Sequence, residues 1–440
     1  MLKQPEILQK LQSSVAHKQA PEALGKIIEV KGTMIKAILP KAKVGALCKI
    51  VNIHDKKNFY AEIVGFTDQY ALLTPLGDIV GIAKESYVQC FDSTHSIQVS
   101  PDMVGHIYDA MGKLRDKTDF QFSNASDWPV YADPPDPLDR KMVENHFSLG
   151  IRSIDALLTC GEGQRIGIFA GAGVGKTTLL GMMAKNSEAD INVIALIGER
   201  GREVNEFLSR ELGEEGLARS VVIIATSDRP PMERVKAAFV ATAVAEYFRD
   251  MGKKVLLLMD SVTRFARAYR EIGLAAGEPP TRRGFPPSVF SALPKLLERS
   301  GNSDKGSITA FYTTLVEGDD MSDPIADEVR SILDGHLVLS RDLADQAHYP
   351  AIDVLASKSR VMDAVVESQH LESANEIKKL YAKYNEIELL VQLGEFKSGN
   401  DPVADKAVKR ISAIKKFLQQ RPHENILFSE TIPALVKLAS

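Results

Sequence analysis

The spacing of hydrophobic residues changes twice along the chain, and each change marks a different kind of structure. Between about residues 21 and 92, short alternating stretches are separated by glycine-containing turns, a pattern typical of a small β-barrel. From about residue 150 the apolar runs are continuous and alternate with helical patterns, which predicts strands covered on both faces. Beyond about residue 362 only helical spacing remains. We therefore predict a barrel, then a mostly parallel α/β sheet, then a helical region.

Individual elements follow from the same pattern. The central strands are predicted by the apolar runs Ile191–Ile197, Val221–Ala225, Val255–Met259 and Ile308–Tyr312. The helix expected at Glu233–Phe248 is apolar over most of its surface, so we expect it to be covered on both sides. Two C-terminal helices are expected at Leu371–Leu393 and Ala404–Leu418. Residues 93–150 end in a proline-rich segment and are expected to connect the barrel to the sheet.

The first 20 residues have a pattern of their own. Apolar side chains recur there at helical spacing, at Ile7, Leu8, Leu11 and Val15. The simpler interpretation is a short amphipathic helix that packs on a partner or frays. The alternative is a docking arm for a regulatory partner or a membrane surface.

Composition and charge narrow the class of protein. The 440 residues carry a net charge of −4 and are 44% hydrophobic, as in an ordinary globular protein. Three widely spaced cysteines, Cys48, Cys90 and Cys160, are typical of reduced thiols. No apolar run approaches the ~18 residues that cross a bilayer, so we expect a cytoplasmic protein with at most peripheral membrane contact. Residues 22–92 hold nine lysines, no arginine and eight acids, which argues against a barrel that binds nucleic acid.

A phosphate-binding loop is predicted at Arg165–Thr178. An apolar run, a glycine-rich turn, a Lys-Thr pair and a helical pattern follow one another there, which is the context that such a loop requires. Ala170 stands where the usual pattern begins with glycine. The residues expected to hold a nucleotide are Gly171, Ala172, Gly173, Val174, Gly175, Lys176, Thr177 and Thr178. Lys176 is expected to reach the β- and γ-phosphates, and the Thr177 hydroxyl to bind Mg²⁺.

Two acidic residues follow predicted strands. Asp260 ends the run that begins at Val255, a position from which a carboxylate can hold the Mg²⁺ of a bound nucleotide. Glu199 follows the run Ile191–Ile197, and strand ends of a parallel sheet converge on the phosphate site. Glu199 is a candidate for activating the attacking water. Alternatively, Glu199 and Arg200 form a structural ion pair.

A third stretch lies near the end of the α/β region. Tyr349, next to a proline, is a candidate for stacking on an adenine ring. Arg360 follows a Ser-Lys-Ser turn and is a candidate arginine finger, although most arginines after a turn are solvated.

Several long motifs resemble those of one family, the rotary ATPase α/β subunits. Pro350–Ser359 matches the signature of that family from end to end, and the order of phosphate loop, Gly-Glu-Arg, Asp260 and signature also matches. Within the family, the chain resembles the protein-export ATPases of type III secretion systems, and Glu388–Glu395 is more similar to the injectisome branch than to the flagellar branch. The other supporting stretches are Pro134–Arg140, Gly163–Ala170, Met259–Arg267, Gly277–Pro280 and Phe285–Phe290.

The resemblance implies roles for the candidate residues. It implies a P-loop NTPase core in a homohexameric ring that hydrolyses ATP with Mg²⁺. Glu199 would activate water beside Arg200, Asp260 would lie near the metal, Tyr349 would pack on adenine, and Arg360 would reach a neighbouring subunit. A second adenine-packing aromatic has no match around residues 420–423, which implies looser affinity for the base.

The resemblance also implies a domain plan and partners. The plan is a docking arm at 1–20, a β-barrel at 21–92, a nucleotide-binding ATPase domain at 93–361 and a helical domain at 362–440. The implied partners are a central stalk protein, a stator or regulator bound through the arm, secretion chaperones with their cargo, and membrane proteins of the export gate. No nucleic acid is expected. The implied location is the cytoplasmic face of the inner membrane, and the loop 277–287 is either a channel or stalk contact or a solvated loop.

Four other functions are compared with this one. A flagellar export ATPase and a rotary ATP synthase catalytic subunit share the same motifs. A non-catalytic ring subunit would place glutamine at position 199 or lack the lysine at position 176, but both Glu199 and Lys176 are present. An RNA-translocating ring motor would need a basic, aromatic-lined barrel, which residues 22–92 do not supply.

Overall fold

The computed structural model describes residues 24–116, 121–316 and 322–440, without the side chains of 92–94. The predicted arm at 1–20 lies outside the described residues. Two compact units are present. One consists of residues 24–95 with 272–278, and the other of the remaining described residues. Among the described residues, no helix is both long and apolar enough to cross a membrane.

The first unit contains a closed six-stranded barrel in the order β1-β2-β5-β4-β3-β6. Alternate residues of its strands point inward, because successive side chains of a strand face opposite sides. The inward residues, such as Ile27, Ile35, Ile50 and Ile63, are fully buried. The strands are β1 (Leu24–Lys31), β2 (Met34–Ile38), β3 (Ala46–Val51), β4 (Asn58–Thr67), β5 (Tyr70–Leu76) and β6 (Tyr87–Thr94).

The second unit is built on a large sheet in the order β19-β18-β12-β17-β15-β13-β14-β8. Neighbours are parallel except for β19 on β18 and the short β16, which pairs with β17. The strands of this unit are β7 (Ser96–Val99), β8 (Ile107–Asp109), β9 (Ser126–Pro129), β10 (His146–Phe147), β11 (Cys160–Gly161), β12 (Arg165–Ala170), β13 (Ile191–Ile197), β14 (Ser220–Ala225), β15 (Lys254–Asp260), β16 (Gly301–Asn302), β17 (Ser307–Leu315), β18 (Gly335–Leu339) and β19 (Ile352–Ser359).

Between and after the strands, the described residues form α-helices. They are α1 (Arg152–Leu157), α2 (Lys176–Asn186), α3 (Gly201–Glu206), α4 (Gly213–Leu217), α5 (Pro231–Asp250), α6 (Val262–Ala275), α7 (Pro287–Leu297), α8 (Pro324–Ile332), α9 (Arg341–Asp345), α10 (Met362–Val365), α11 (Ser368–Gln392), α12 (Pro402–Leu418) and α13 (Phe428–Ala439). A π-helix, Phe207–Leu212, joins α3 to α4, and 3-10 turns occur at Pro101–Met103 and Arg282–Gly284.

The C-terminal helices share a core with the sheet. One cluster of buried side chains contains Leu157 of α1 and Leu337 of β18 together with Ile377, Ile414 and Leu435 of the last three helices. Apolar packing of this kind holds the C-terminal helices against the α/β region, because burial removes those side chains from water.

The predicted fold class is confirmed: a barrel, a mostly parallel α/β sheet and a helical C-terminal region are all present. One difference concerns residues 93–150, which the sequence predicted as a connection. This stretch also supplies β8, which pairs with β14 at the edge of the main sheet, as well as β7 and β9, which pair with each other. Strands of three or four residues are too short to show a clear hydrophobic period.

Candidate active site

The glycine-rich loop lies between the end of β12 and the start of α2. Gly173 and Gly175 take left-handed backbone angles, φ of 80° and 87°, which glycine adopts without steric strain. Gly175 is the residue that precedes α2, and Lys176 is its first residue. The backbone N–H groups at the N-terminus of a helix, and its dipole, favour an anion. Strand, loop and helix thus form the geometry of a phosphate-binding loop.

Three charged side chains converge at the carboxyl ends of neighbouring strands. The Lys176 ammonium lies 2.5 Å from Oδ1 of Asp260, at the end of β15, and 3.8 Å from Oε1 of Glu199, just beyond β13. The Thr313 hydroxyl on β17 donates a hydrogen bond of 2.7 Å to the same Asp260 oxygen. Parallel strands bring these residues together because their carboxyl ends share one edge of the sheet.

The charges in this cluster shift the titration of two of its members. Burial alone would lower the pKa of Lys176, but the negative charges of Asp260 and Glu199 outweigh burial and raise it. Burial and the Asp260 charge raise the pKa of Glu199 to about 7, against the opposing effect of Lys176. Glu199 Oε1 is buried and has no hydrogen-bond partner among the described residues. A carboxylate in this state can accept a proton or a hydrogen bond from a water molecule.

Glu203 and Arg264 also act on Glu199, and neither was singled out as a site residue from the sequence. Glu203 forms a hydrogen bond that raises the pKa of the Glu199 carboxyl group, and the positive charge of Arg264 acts in the opposite direction. A Cβ atom at Gly198 would lie 2.9 Å from Cβ of Arg264, so the arginine packs directly against the backbone before Glu199. The available signal was position, because Arg264 lies four residues after Asp260, near the start of α6.

Arg200 is not the partner of Glu199 in this structure. Its side chain is 74% exposed and pairs with Glu203 at 3.6 Å. Glu199 instead lies next to Lys176. The alternative of a structural Glu199–Arg200 ion pair is therefore wrong for the described chain, because each of the two side chains pairs with a different residue.

Thr177 and Thr178 differ in their contacts. The Thr178 hydroxyl donates a hydrogen bond of 3.1 Å to Oε1 of Glu211, in the π-helix after α3. Thr177, at the start of α2, is half-buried. The Thr178 hydroxyl is therefore already engaged in a hydrogen bond within the protein.

Tyr349 lies against the phosphate loop. A Cβ atom at Gly175 would be 3.4 Å from Cδ1 and Cε1 of the Tyr349 ring, which is 42% exposed. The Tyr349–Pro350 peptide bond is cis. The structure thus brings this candidate base-stacking ring to the same loop as Lys176.

Arg360 lies at the other end of the strands from the phosphate loop. Its backbone N–H donates to Asp334 O, and the Asp334 N–H donates to Arg165 O at the start of β12. The six residues of β12 separate that point from the phosphate loop, a distance of about 17 Å at ~3.3 Å per residue. The side chain is exposed and donates a hydrogen bond of 3.3 Å to Arg330 O. Arg360 is therefore not part of the cluster around Lys176 in its own chain.

Comparison with known proteins follows the same division of the chain. Residues 150–359 match the nucleotide-binding domain of the ATP synthase alpha/beta family. Residues 366–437 match the C-terminal domain of the T3SS ATPase EscN. The two matches cover the sheet with its phosphate loop and the C-terminal helices, respectively.

Relatives at high identity match almost the whole chain. A type 3 secretion system ATPase of Xanthomonas euvesicatoria is 53% identical, over 94% of this chain and 93% of its own length. A flagellum-specific ATP synthase of Bacillus subtilis is 49% identical, over 94% of each chain.

Solved structures of EscN from enteropathogenic E. coli are 51% identical to this chain and cover 94% of it and 100% of their own chains. The TM-score is 0.90 for the assembled ATPase and 0.88 for its complex with the central stalk EscO. The chain is therefore an ATP-hydrolysing enzyme and belongs to the type 3 secretion system ATPases of the ATP synthase alpha/beta family.

Proposed function

We propose that this ATPase works as a homohexameric ring that powers type III protein export, releasing secretion chaperones from their cargo and partly unfolding it. The observation that carries the proposal is the Glu199 carboxylate, whose Oε1 lies 3.8 Å from the phosphate-loop lysine and has no hydrogen-bond partner within the described part of the chain. A protein that binds nucleotide without hydrolysing it does not need a buried carboxylate of raised pKa at that position.

The proposed nucleotide site uses the loop, the helix and Tyr349. Backbone N–H groups of residues 171–178 would bind the phosphates, Lys176 would exchange its contact with Asp260 for the β- and γ-phosphates, and Tyr349 would stack on the base. Thr177 and Asp260 fit Mg²⁺ because a hydroxyl and a carboxylate are hard oxygen ligands. Mg²⁺ would neutralise charge on the nucleotide phosphates.

Glu199 is the proposed catalytic base. Its carboxylate would orient the attacking water and accept a proton from it, and Lys176 and Arg264 would stabilise the charge that develops on the γ-phosphate. Arg200 is exposed beside this group, and we assign it an accessory role at the border of the site.

The arginine finger is proposed to act between subunits. Arg360 is exposed and lies at the sheet edge away from its own phosphate loop. In a head-to-tail ring, each subunit presents one surface to the next, so an exposed arginine of one copy can complete the site of another. The relative EscN has been solved in an assembled state, which is consistent with this arrangement.

The partners are proposed from relatives. EscN forms a complex with a central stalk, EscO, and a comparable stalk is proposed for this ring. A stator or regulator bound through residues 1–20, chaperone–cargo complexes and export-gate membrane proteins complete the set, at the cytoplasmic face of the inner membrane. A flagellar export ATPase remains the second candidate, because the flagellum-specific relative is 49% identical.

Two substitutions test the catalytic assignment. Lys176→Ala should abolish ATP hydrolysis and weaken ATP binding, whereas Glu199→Ala should abolish hydrolysis and leave binding intact. Phosphate release and equilibrium binding of a fluorescent ATP analogue measure the two properties. Glu206→Ala, which removes an exposed carboxylate paired with Arg210, is the matched control and should keep full activity. Retained turnover in Glu199→Ala would show that another group activates the water.

A further inference from the structure

Gln420 is a buried polar residue that lies two positions after α12. It is 5% exposed, and its hydrogen bonds reach two separate parts of the core. The backbone N–H donates to Tyr349 O at 3.0 Å. The side chain accepts from Arg152 N at 2.8 Å and donates to Gly150 O at 2.8 Å and to Glu424 O at 2.9 Å.

We infer that Gln420 is a positioning residue for the nucleotide base: it fixes Tyr349 against the phosphate loop and connects that contact to the C-terminal helices. The inference rests on the proposed function, because it assumes that Tyr349 stacks on the base of ATP.

The Tyr349 ring needs such a support. Tyr349 is 42% exposed, so packing alone does not hold its side chain. The ring lies beside Gly175, where an added Cβ would be 3.4 Å from it. The backbone carbonyl of Tyr349 is held by the Gln420 N–H. A shift of residue 420 would therefore move the ring relative to the phosphates.

The other partners of Gln420 are themselves fixed. The N–H groups of Leu149 and Gly150 donate to the fully buried Asp155 carboxylate, each at 3.0 Å. Gly150 has a φ of 65°, and a Cβ atom there would lie 2.7 Å from both Asn186 and Asn425. The turn before α1 is thus held by hydrogen bonds within the core, and Gln420 bonds to the same turn.

The segment that contains Gln420 and Glu424 also contacts α2, the helix that follows the phosphate loop. Asn186, the last residue of α2, donates from Nδ2 to Glu424 O at 3.2 Å, the carbonyl that also accepts from Gln420. Gln420 therefore links the base-stacking residue to α12, while its neighbour Glu424 contacts the far end of the helix that begins at Lys176. These contacts connect both the base-stacking residue and α2 to the segment that follows α12.

A purely structural role would give a different result from a positioning role. Loss of the side-chain hydrogen bonds in a structural residue lowers stability and the amount of active enzyme, which reduces kcat and leaves KM unchanged. A positioning residue acts through Tyr349, so its loss raises the KM for ATP, and the effect disappears once Tyr349 has been removed.

The experiment measures kcat, KM for ATP and the unfolding midpoint Tm in the full-length chain. Gln420→Met keeps the side-chain volume and removes the three side-chain hydrogen bonds. Gln419→Ala is the matched control, because Gln419 is exposed and adjacent. Tyr349→Ala and the double variant Tyr349→Ala/Gln420→Met complete a double-mutant cycle.

We expect Gln420→Met to raise KM about three- to tenfold, the size expected for one or two hydrogen bonds, with kcat nearly unchanged. In the Tyr349→Ala background the same change should alter KM less than about twofold. A wild-type KM in Gln420→Met, or an equal effect in both backgrounds, would overturn the inference. Wild-type enzyme without ATPase activity would instead refute the proposed function, so the two failures are distinguishable.

Discussion

Glu199 is held between two opposing charges at short range. The Asp260 carboxylate and burial disfavour its ionised form, whereas Lys176 favours it, and the balance places the pKa of Glu199 at about 7. Near neutral pH, both protonation states of Glu199 are therefore populated in the free enzyme. Only the ionised carboxylate can accept a proton from water, so activity depends on the fraction of Glu199 that is deprotonated.

The first prediction concerns the pH profile of kcat/KM, which reports groups of the free enzyme. Because the pKa of Glu199 is raised, the site is inactive below that pKa and gains activity as the pH rises through about 7. We expect an acidic limb there in steady-state measurements. The measurement must resolve a pKa shift of ~1 unit. A profile of kcat/KM that stays flat from pH 5 to pH 8 would contradict the role of Glu199.

A second prediction uses Glu203 to move that limb. The hydrogen bond from Glu203 raises the pKa of Glu199, so Glu203→Ala should shift the acidic limb to lower pH while activity at high pH is retained. Glu206→Ala, on the exposed side of the same helix, is the control and should leave the limb in place. An unchanged limb in Glu203→Ala would mean that another group titrates.

The positions of some residues in the site could be predicted from the sequence, and those of others could not. Lys176, Glu199 and Asp260 follow predicted strands or the glycine-rich loop, and strand ends of a parallel sheet meet, so their proximity could be inferred. The hydrogen bond from Thr178 to Glu211 could not, because it depends on how a π-helix packs on α2. Gln420 was noted only as the place where an aromatic was missing. Its contacts span more than 250 positions of the chain.

The helix α2 and the π-helix Phe207–Leu212 approach each other closely. A Cβ atom at Gly181 would lie 2.8 Å from Cβ of Glu211 and 3.0 Å from its carbonyl oxygen, so only glycine fits without movement of the neighbour. One helical turn earlier, Thr178 donates to the same glutamate. π-helical turns frequently occur at functional sites. Here this turn lets the chain after Glu199 pack directly on the phosphate-loop helix.

A third prediction tests this close approach. Gly181→Ala should destabilise the protein by about 1–3 kcal/mol, the usual range for overpacking, and should lower the urea midpoint. Gly201→Ala is the matched control. Gly201 begins α3, and an added Cβ there would meet no other side chain or strand within 4 Å among the described residues, so alanine there should be neutral or slightly stabilising. Equal midpoints for the two variants would show that the helices can separate at little cost.

Elements were predicted best where one periodicity ran over many residues. The strand β13 begins and ends at the predicted residues, and α5 extends the predicted helix by two residues at each end. The short β8 was missed because three residues do not establish a hydrophobic period. Its pairing with β14 also depends on tertiary structure, which the local sequence does not reveal. The helix α13 follows a loop of mixed polarity and was predicted only as part of a helical tail.

The two parts of the proposed catalytic site lie at opposite ends of the strands of one sheet. The cluster of Lys176, Glu199 and Asp260 lies at the carboxyl ends of the parallel strands, whereas Arg360 lies at the amino end of β12. The distance of about 17 Å along that strand is longer than an arginine side chain. Arg360 therefore does not reach the γ-phosphate site of its own copy, and we propose that it acts in the site of a second copy.

The most direct test of this proposal mixes two inactive variants. Lys176→Ala retains Arg360 and Arg360→Ala retains the phosphate loop, so each should be nearly inactive alone. Mixed before assembly in equal amounts, the two variants should form complete sites at about a quarter of the interfaces in a head-to-tail ring. ATP hydrolysis, measured with the mass of the assembly, should then recover well above either variant. No recovery in rings shown to contain both variants, or full activity in a monomer, would contradict the account.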